Sequence, residues 1–532
     1  MTGSPVDWDW GQAAAGFGVG DGGEFNAGDL DLTQDRALLW RRADGSSRSF
    51  SGAEVTAEVE RISAALAAFG VGAGQRVAAV LGRRPEALLL PMAVWRLGAI
   101  YVPLFSGFGR DALQVRLADS GSTSIVTDEA NRADVEDALT DLPGIAILGV
   151  EPGPGGEDLT SLGAEGSPPA AARTSLETAA TIMYTSGTTG RPKGCVLGHK
   201  AVVSLAPFIR ACLDLGREEI LFSTADTGWS FGLYTTGLAP IAMGGCRLLY
   251  EGGFDAHEWL KVAQEEGATH FAGAPTGYRQ IAQAGVDALP AGPMPLRRAT
   301  SAGEALDAEV MRWFEEHLGF TIHDAYGLTE LGMVAGNLRS PGSPAPKAGS
   351  MGVALPGFEL DLLDAEGRVV EGEGTGRLAV REGTFQFGDD YWGRTPEWEA
   401  HQRDGRWVTE DLVRRDADGC HWHVGRSDDI IVTAGYNVAP IDIETVIMAH
   451  PAIADVACVE APDPRKGSVI SAHVVLVEEV DPAVLLEELR ESVGGRVGWH
   501  CAPRRLRTHE ALPRTESGKV RRGVLRDFEM TK

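Results

Sequence analysis

The chain has 532 residues, 43% apolar and 23% charged, with a net charge of −27. That length exceeds one core and calls for two or more domains, and the composition is that of a folded globular protein. The negative balance argues against non-specific nucleic-acid binding. Cys195, Cys212, Cys246, Cys420, Cys458 and Cys501 are scattered without a C-x-x-C pair, which argues against metal and disulfide frameworks and for a reducing compartment. No basic segment precedes an apolar one at the N-terminus, and no apolar run reaches membrane-spanning length, so a soluble cytoplasmic protein is expected.

Ser51 and Glu54 form a capping box, and Val55, Val59, Ile62, Leu66 and Phe69 recur at helical spacing up to Gly70. Strands are predicted over residues 76–81, 99–105 and 124–127, and helices over 85–97 and 110–120. This alternation points to parallel sheets covered by helices. Residues 151–173 are rich in Gly, Pro, Glu and Ala and read as a loop. Residues 340–350 read as a second connector. Beyond residue 428 the pattern becomes a compact α+β one. Strands are predicted at 430–433, 456–459 and 472–477, and helices at 441–450 and 482–493. From Pro503 to Lys532 nine Lys/Arg face four Asp/Glu, which suits either a solvated face or a phosphate-facing one.

A short apolar strand, Thr181-Ile182-Met183-Tyr184, leads into Thr185-Ser186-Gly187-Thr188-Thr189-Gly190-Arg191-Pro192-Lys193-Gly194. Glycines let backbone N–H groups approach a polyanion, hydroxyls add donors, and Lys193 supplies a point charge. The loop is therefore predicted to hold phosphates. It differs from the common phosphate loop, because Arg-Pro precedes the lysine and Gly194 stands where that motif needs Ser or Thr.

This loop resembles the phosphate-binding signature of adenylate-forming enzymes: acyl-CoA synthetases, aryl-CoA ligases, luciferases and peptide-synthetase adenylation domains. Further matches follow in the family's order, beginning with Ser301-Ala302-Gly303-Glu304-Ala305-Leu306 and Asp324-Ala325-Tyr326-Gly327-Leu328-Thr329-Glu330. Thr409-Glu410-Asp411, Gly425-Arg426-Ser427-Asp428-Asp429 and Leu512-Pro513-Arg514-Thr515-Glu516-Ser517-Gly518-Lys519 complete the series. The pattern is closest to acetyl- and medium-chain acyl-CoA synthetases. The resemblance implies a large N-terminal domain (residues 1–427) of helix-covered, parallel-rich sheets with a small β-barrel-like subdomain. A small mobile α+β domain (428–532) would follow, hinged at Asp428.

It also implies roles. Thr185 to Lys193 would wrap the β- and γ-phosphates, Thr329 would donate to the α-phosphate, and Glu330 would be the Mg²⁺ ligand. Gly303, Glu304 and Ala305, with Asp324, Ala325, Tyr326, Gly327 and Leu328, would form the adenine slot. Asp411 would hold the ribose, with Arg426 beside it. Lys519 would stabilise the adenylation transition state. Coenzyme A would run past Ala434, Gly435 and Tyr436, and Asn437 would lie near the nucleotide. A plain surface Asp–Arg pair, a buried core tyrosine and a turn glycine are the bland alternatives at residues 411/426, 326 and 435.

The implied activity is ATP-dependent activation of a carboxylic acid to an acyl-adenylate and transfer to CoA. A freestanding adenylation enzyme loading a phosphopantetheinyl carrier protein, or an enzyme of one half-reaction, is the alternative; an oligomer is compatible with either. Two departures lower the positive charge expected near the nucleotide: Glu410 where many relatives have glycine, and Asn437 where many have arginine. Asp226-Thr227-Gly228-Trp229-Ser230-Phe231-Gly232 resembles the acyl-CoA synthetases rather than amino-acid-activating domains. Trp229, Ser230, Phe231, Gly232, Ala302 and Gly327 are expected to line the acid pocket. Gly327 stands where acetate-specific relatives carry tryptophan, so a longer or bulkier apolar acid is expected.

Overall fold

The computed structural model describes residues 8–530 apart from 154–156, 164–166, 186–191, 218, 305, 384, 427, 428, 430, 434, 435, 439, 464–466, 500, 516 and 517. The chain forms two compact units. The first comprises Met1–Glu359 and Arg381–Arg406; the second comprises Leu360–Val380 and Trp407–Lys532.

The first unit is built on two sheets. In the nine-stranded sheet, Ile322–Leu328, Arg298–Ala302, His270–Gly273, Ile220–Ser223, Cys246–Tyr250 and Leu38–Arg41 lie side by side and parallel. Antiparallel strands close both edges. In the eight-stranded sheet, six parallel strands run from Ala179–Thr185 through Ile100–Leu104, Arg76–Val80, Ser124–Thr127 and Ala146–Gly149 to Glu157–Asp158. Lys193–Gly198 and then Gly388–Tyr391 extend it antiparallel. Both faces of such sheets must be covered, which is why the central strands Val77–Val80 and Val102–Leu104 are buried along their length.

Helix Gly52–Ala68 begins as predicted. The Ser51 hydroxyl accepts from the Glu54 N–H while the Glu54 carboxylate accepts from the Ser51 N–H, a reciprocal cap worth about 1 kcal/mol. Gly70, at φ +97°, turns the chain out of it. Trp259 anchors the core of the nine-stranded sheet, stacked on Phe222 with ring centroids 4.5 Å apart.

The loop expected over 151–173 is not all loop. Glu157–Asp158 adds an edge strand and Leu159–Gly163 forms one helical turn. The Asp158 carboxylate caps that turn by accepting from the Ser161 N–H at 2.8 Å, and the Leu159 carbonyl accepts from Arg61 at 2.7 Å. One buried leucine within five residues is too short a pattern to show periodicity.

In the second unit, Leu360–Leu363, Gly374–Arg381 and Arg406–Arg415 are neighbours in one sheet; the first two pair antiparallel, and His421–Arg426 pairs antiparallel with the last. Hairpin Ile431–Thr433/Tyr436–Val438 follows. Then come helix Pro440–Met448, the long antiparallel pair Ile453–Asp463/Gly467–Leu476, helix Pro482–Arg496, strand Arg505–His509 and helix Arg522–Met530. The hinge expected at Asp428 lies outside the described residues.

The basic segment 503–532 is largely occupied with carboxylates of its own unit. Arg505 and Arg507 bind Glu529, Arg514 binds Asp455, Arg522 binds Glu444, and Arg526 binds Asp429. Glu529 is buried. Burial pushes its pKa up, but hydrogen bonds from Arg507, Arg505 and Ser471 outweigh that and hold it at about 2. A carboxyl depressed by folding stabilises fully above the ordinary carboxylate range and loses that contribution as pH falls toward its folded pKa. We therefore expect Glu529→Gln to cost roughly 2–3 kcal/mol at neutral pH. Hydrogen exchange of helix Arg522–Met530 reads this, and the gap from wild type should shrink as pH drops from about 5 toward 3.

Candidate active site

Ligands of open α/β sheets collect beyond the C-terminal ends of parallel strands. In the first unit the sequence-predicted residues lie there. Thr185 ends Ala179–Thr185, Gly303 and Glu304 follow Arg298–Ala302, and Thr329 and Glu330 follow Ile322–Leu328. Trp229 to Gly232 come shortly after Ile220–Ser223.

The candidate phosphate loop spans the tip of an antiparallel hairpin, with Thr185 opposite Lys193 and Tyr184 opposite Gly194. Ser186, Gly187, Thr188, Thr189 and Gly190 lie outside the described residues, so the structure gives the two arms of the loop. The ascending arm is fixed by the Tyr184 hydroxyl, which donates to Asp119 at 2.8 Å; burial first, and then that carboxylate, raise the phenol's pKa. The descending arm begins with Lys193, whose ammonium stands 2.8 Å from Glu397 and 5.0 Å from the Tyr391 ring centroid.

Glu330 is tied to the same arm. Its backbone carbonyl accepts from the Gly388 N–H at 2.9 Å, and its Oε1 accepts from the Tyr391 hydroxyl at 2.8 Å. Gly388 and Tyr391 are the two ends of one strand, which pairs with Cys195–Leu197 of the arm that Lys193 begins. A Cβ on Gly388 would stand 2.7 Å from the Glu330 carbonyl, so the close approach requires glycine. Cys195 donates to the Thr329 carbonyl at 3.7 Å, and burial keeps its thiol protonated far above the usual range. Tyr391, Gly388 and Glu397 were not singled out in the sequence. Their partners lie 58 to 204 positions away, beyond any local motif.

Asp324 is fully buried, and burial pushes its carboxyl well up against the downward pull of the Ala325 N–H and the Ser301 hydroxyl. Ala325 and Tyr326 are buried within the sheet, Gly327 and Leu328 end the strand half-buried, and Ala305 is not described. Glu304 accepts from Arg279 at 3.1 Å and from Thr276 at 3.3 Å. Gly303, at φ +103°, lies under the Trp229 indole; a Cβ there would meet Cη2 at 3.1 Å. Trp229 also packs on Phe231, with centroids 5.4 Å apart, and Ser230, Phe231 and Ala302 are buried. Gly232 lies so close to the Asp226 carbonyl that no side chain fits. The loop carrying Trp229 is pinned by Asp226, which accepts from Ser106 at 2.8 Å and from the Gly228 N–H at 2.7 Å.

In the second unit Asp411 and Arg426 face each other across a strand pair, with Arg426 3.8 Å from the Asp411 carboxylate. His423, unforeseen in the sequence, approaches the same oxygen at 3.4 Å. Lys519 is exposed in a turn closed by the Arg514–Val520 bridge; its N–H donates to the Thr515 hydroxyl at 3.1 Å. Tyr436 and Asn437 lie on a hairpin strand, while Ala434, Gly435 and Asp428 are outside the described residues.

Residues 31–388 match the AMP-binding enzyme family, and residues 442–519 match the AMP-binding enzyme C-terminal domain. The chain belongs to the AMP-binding enzyme family. The acyl-CoA ligase YtcI of Bacillus subtilis, itself uncharacterized, is 31% identical, covering 93% of each chain. Acetyl-coenzyme A synthetase of the same organism is 30% identical over 98% of this chain and 94% of its own. A crystal structure of Brucella canis acyl-CoA synthetase superposes with a TM-score of 0.76 at 31% identity, covering 98% of both chains.

The structure adds detail at two positions of this AMP-binding enzyme. Side chains alternate along a strand, so Glu410 points away from the face that carries Asp411 and lies 3.9 Å from Arg377. Its charge is not added beside Asp411. Residue 327 has no open space in front of it: a Cβ there would strike the Gly332 carbonyl and stand 2.8 Å from the Met333 sulfur. Glycine at 327 is therefore what the irregular hairpin between Ile322–Leu328 and Gly332–Gly336 requires. Accordingly, Gly327→Ala should destabilise the protein by roughly 1–3 kcal/mol, and Gly327→Trp by more. Thermal unfolding at matched pH, run before any comparison of acids, checks this; an unchanged midpoint in both variants would contradict it.

Proposed function

We propose that the protein is an ATP-dependent acyl-CoA synthetase acting on a carboxylic acid with an apolar body. A carboxylate oxygen attacks the α-phosphorus of ATP, the α–β phosphoanhydride breaks, and acyl-adenylate and pyrophosphate result. The thiolate of CoA then attacks the acyl carbon and expels AMP, giving the thioester. The first step brings two anions together, so the protein must supply fixed positive charge and donors and must exclude water.

The observation that carries this reading is the strand Gly388–Tyr391, which joins the Lys193 arm of the loop to Glu330 in a family of AMP-binding enzymes. In this reading Lys193 and the loop hydroxyls take the β- and γ-phosphates, Thr329 the α-phosphate, and Asp411 the ribose. Lys519 supplies charge in the adenylation step alone, and Asp428 is the pivot between the half-reactions. Mg²⁺ fits Glu330. No cation is paired with its carboxylate among the described residues, and Mg²⁺ keeps waters and substrate phosphates around one or two protein carboxylates. When bound, the ion neutralises the charge that develops on the departing pyrophosphate.

In this reading Trp229, which packs on Phe231, would form with Phe231 and Ala302 an apolar wall for a medium-chain, branched, alicyclic or aryl acid. ATP–pyrophosphate exchange with a panel of such acids, followed by thioester formation with CoA and with a holo-carrier protein, tests the reading. Acid-dependent exchange with transfer to CoA is expected. Exchange with transfer only to the carrier would contradict the assigned acceptor, and no exchange with any acid would contradict the activity. Lys519→Ala should slow exchange roughly 10²–10³-fold while sparing thioester formation from supplied acyl-adenylate. Equal losses in both steps would refute its role.

A further inference from the structure

Tyr391 is 3% exposed, and its side chain does two separate things. The ring packs edge-on against Trp398 at 5.3 Å and faces the Lys193 ammonium. The hydroxyl goes to Glu330. Phenylalanine would serve the packing equally well, so the hydroxyl has to be explained by the carboxylate. A tyrosine hydroxyl buried this deeply is costly unless bonded, and a bond to a charged acceptor is among the stronger ones.

The residues that follow make three further contacts with the loop's arms and supports. The Trp392 N–H donates to the Gly194 carbonyl at 2.7 Å. Arg394 donates at 3.0 Å to Asp119, whose other oxygen accepts from Tyr184 on the ascending arm. Glu397 holds Lys193 on the descending arm. Residues 391–397 thus grip both arms of the loop and the Glu330 carboxylate together.

We propose that Tyr391 is a positioning residue for Glu330: by taking Oε1 it fixes the rotation of the carboxyl group and presents Oε2 as the oxygen for the metal. The strand that aligns this carboxylate also aligns the lysine arm, so the metal and the phosphates are placed by one rigid piece. The inference rests on the reading of Glu330 as the Mg²⁺ ligand, and its test keeps the two apart.

The probe is α,β-methylene-ATP, whose α–β bridge cannot be broken by adenylation. Its equilibrium binding to the full-length protein is measured in EDTA and in Mg²⁺ for wild type, Tyr391→Phe, Glu330→Gln and the double variant. The expected result is that Tyr391→Phe binds as wild type in EDTA but loses roughly ten-fold of the Mg²⁺-dependent tightening. Adding Tyr391→Phe to Glu330→Gln should change nothing further. Full tightening in Tyr391→Phe, with tightening lost in Glu330→Gln, would overturn the positioning role and leave Glu330 as the ligand. Tightening retained in Glu330→Gln would overturn the Glu330 reading and this inference with it. An equal loss in EDTA and in Mg²⁺ for Tyr391→Phe would show a purely structural role and overturn the proposal.

Discussion

The strand Gly388–Tyr391 is the contact on which the first unit's candidate site depends. A polyanion site needs positive charge held still, and a lysine at the foot of a glycine-rich hairpin tip is not still by itself. Here the arm that Lys193 begins is paired at Cys195–Leu197 with this strand, and the strand's two ends hold the Glu330 backbone and side chain. The Lys193–Glu397 pair adds orientation rather than stability, because Glu397 is half exposed and exposed pairs contribute about 0–1 kcal/mol. An incoming phosphate can therefore compete for Lys193 at small cost.

Net charge poses a second constraint. A protein at −27 that handles a nucleotide triphosphate must gather its cations locally, since its overall field repels the substrate. The second unit shows how few are spare. Five of its seven arginines beyond residue 503 are tied to Glu529, Asp455, Glu444 and Asp429, and they hold helix Arg522–Met530 and the turn carrying Lys519 to the unit. Lys519 stands on that turn, exposed.

Much of this was legible in the sequence where the signal was local. The capping box at Ser51, the strand into Thr185 and the helix over 110–120 follow from neighbouring residues, and the structure has them. The pairing of Asp411 with Arg426 came from the family resemblance and appears as a cross-strand pair. What escaped was non-local or directional. Tyr391 and Glu330 are 61 positions apart, and nothing in the composition of either segment points to the other. Glu410 looked like an added charge because adjacent residues were read together, although a strand sends them to opposite faces. The need for glycine at 327 escaped because a motif carries no direction for a Cβ.

The central claim, that a carboxylate attacks the α-phosphorus of ATP, is tested most directly by isotope transfer. An accepted acid labelled with ¹⁸O in both carboxyl oxygens is turned over with ATP and CoA, and the phosphorus products are examined by mass spectrometry. One ¹⁸O is expected in the AMP released and none in pyrophosphate. Label in orthophosphate, with ADP as the nucleotide product, would mean an acyl-phosphate route and would contradict it.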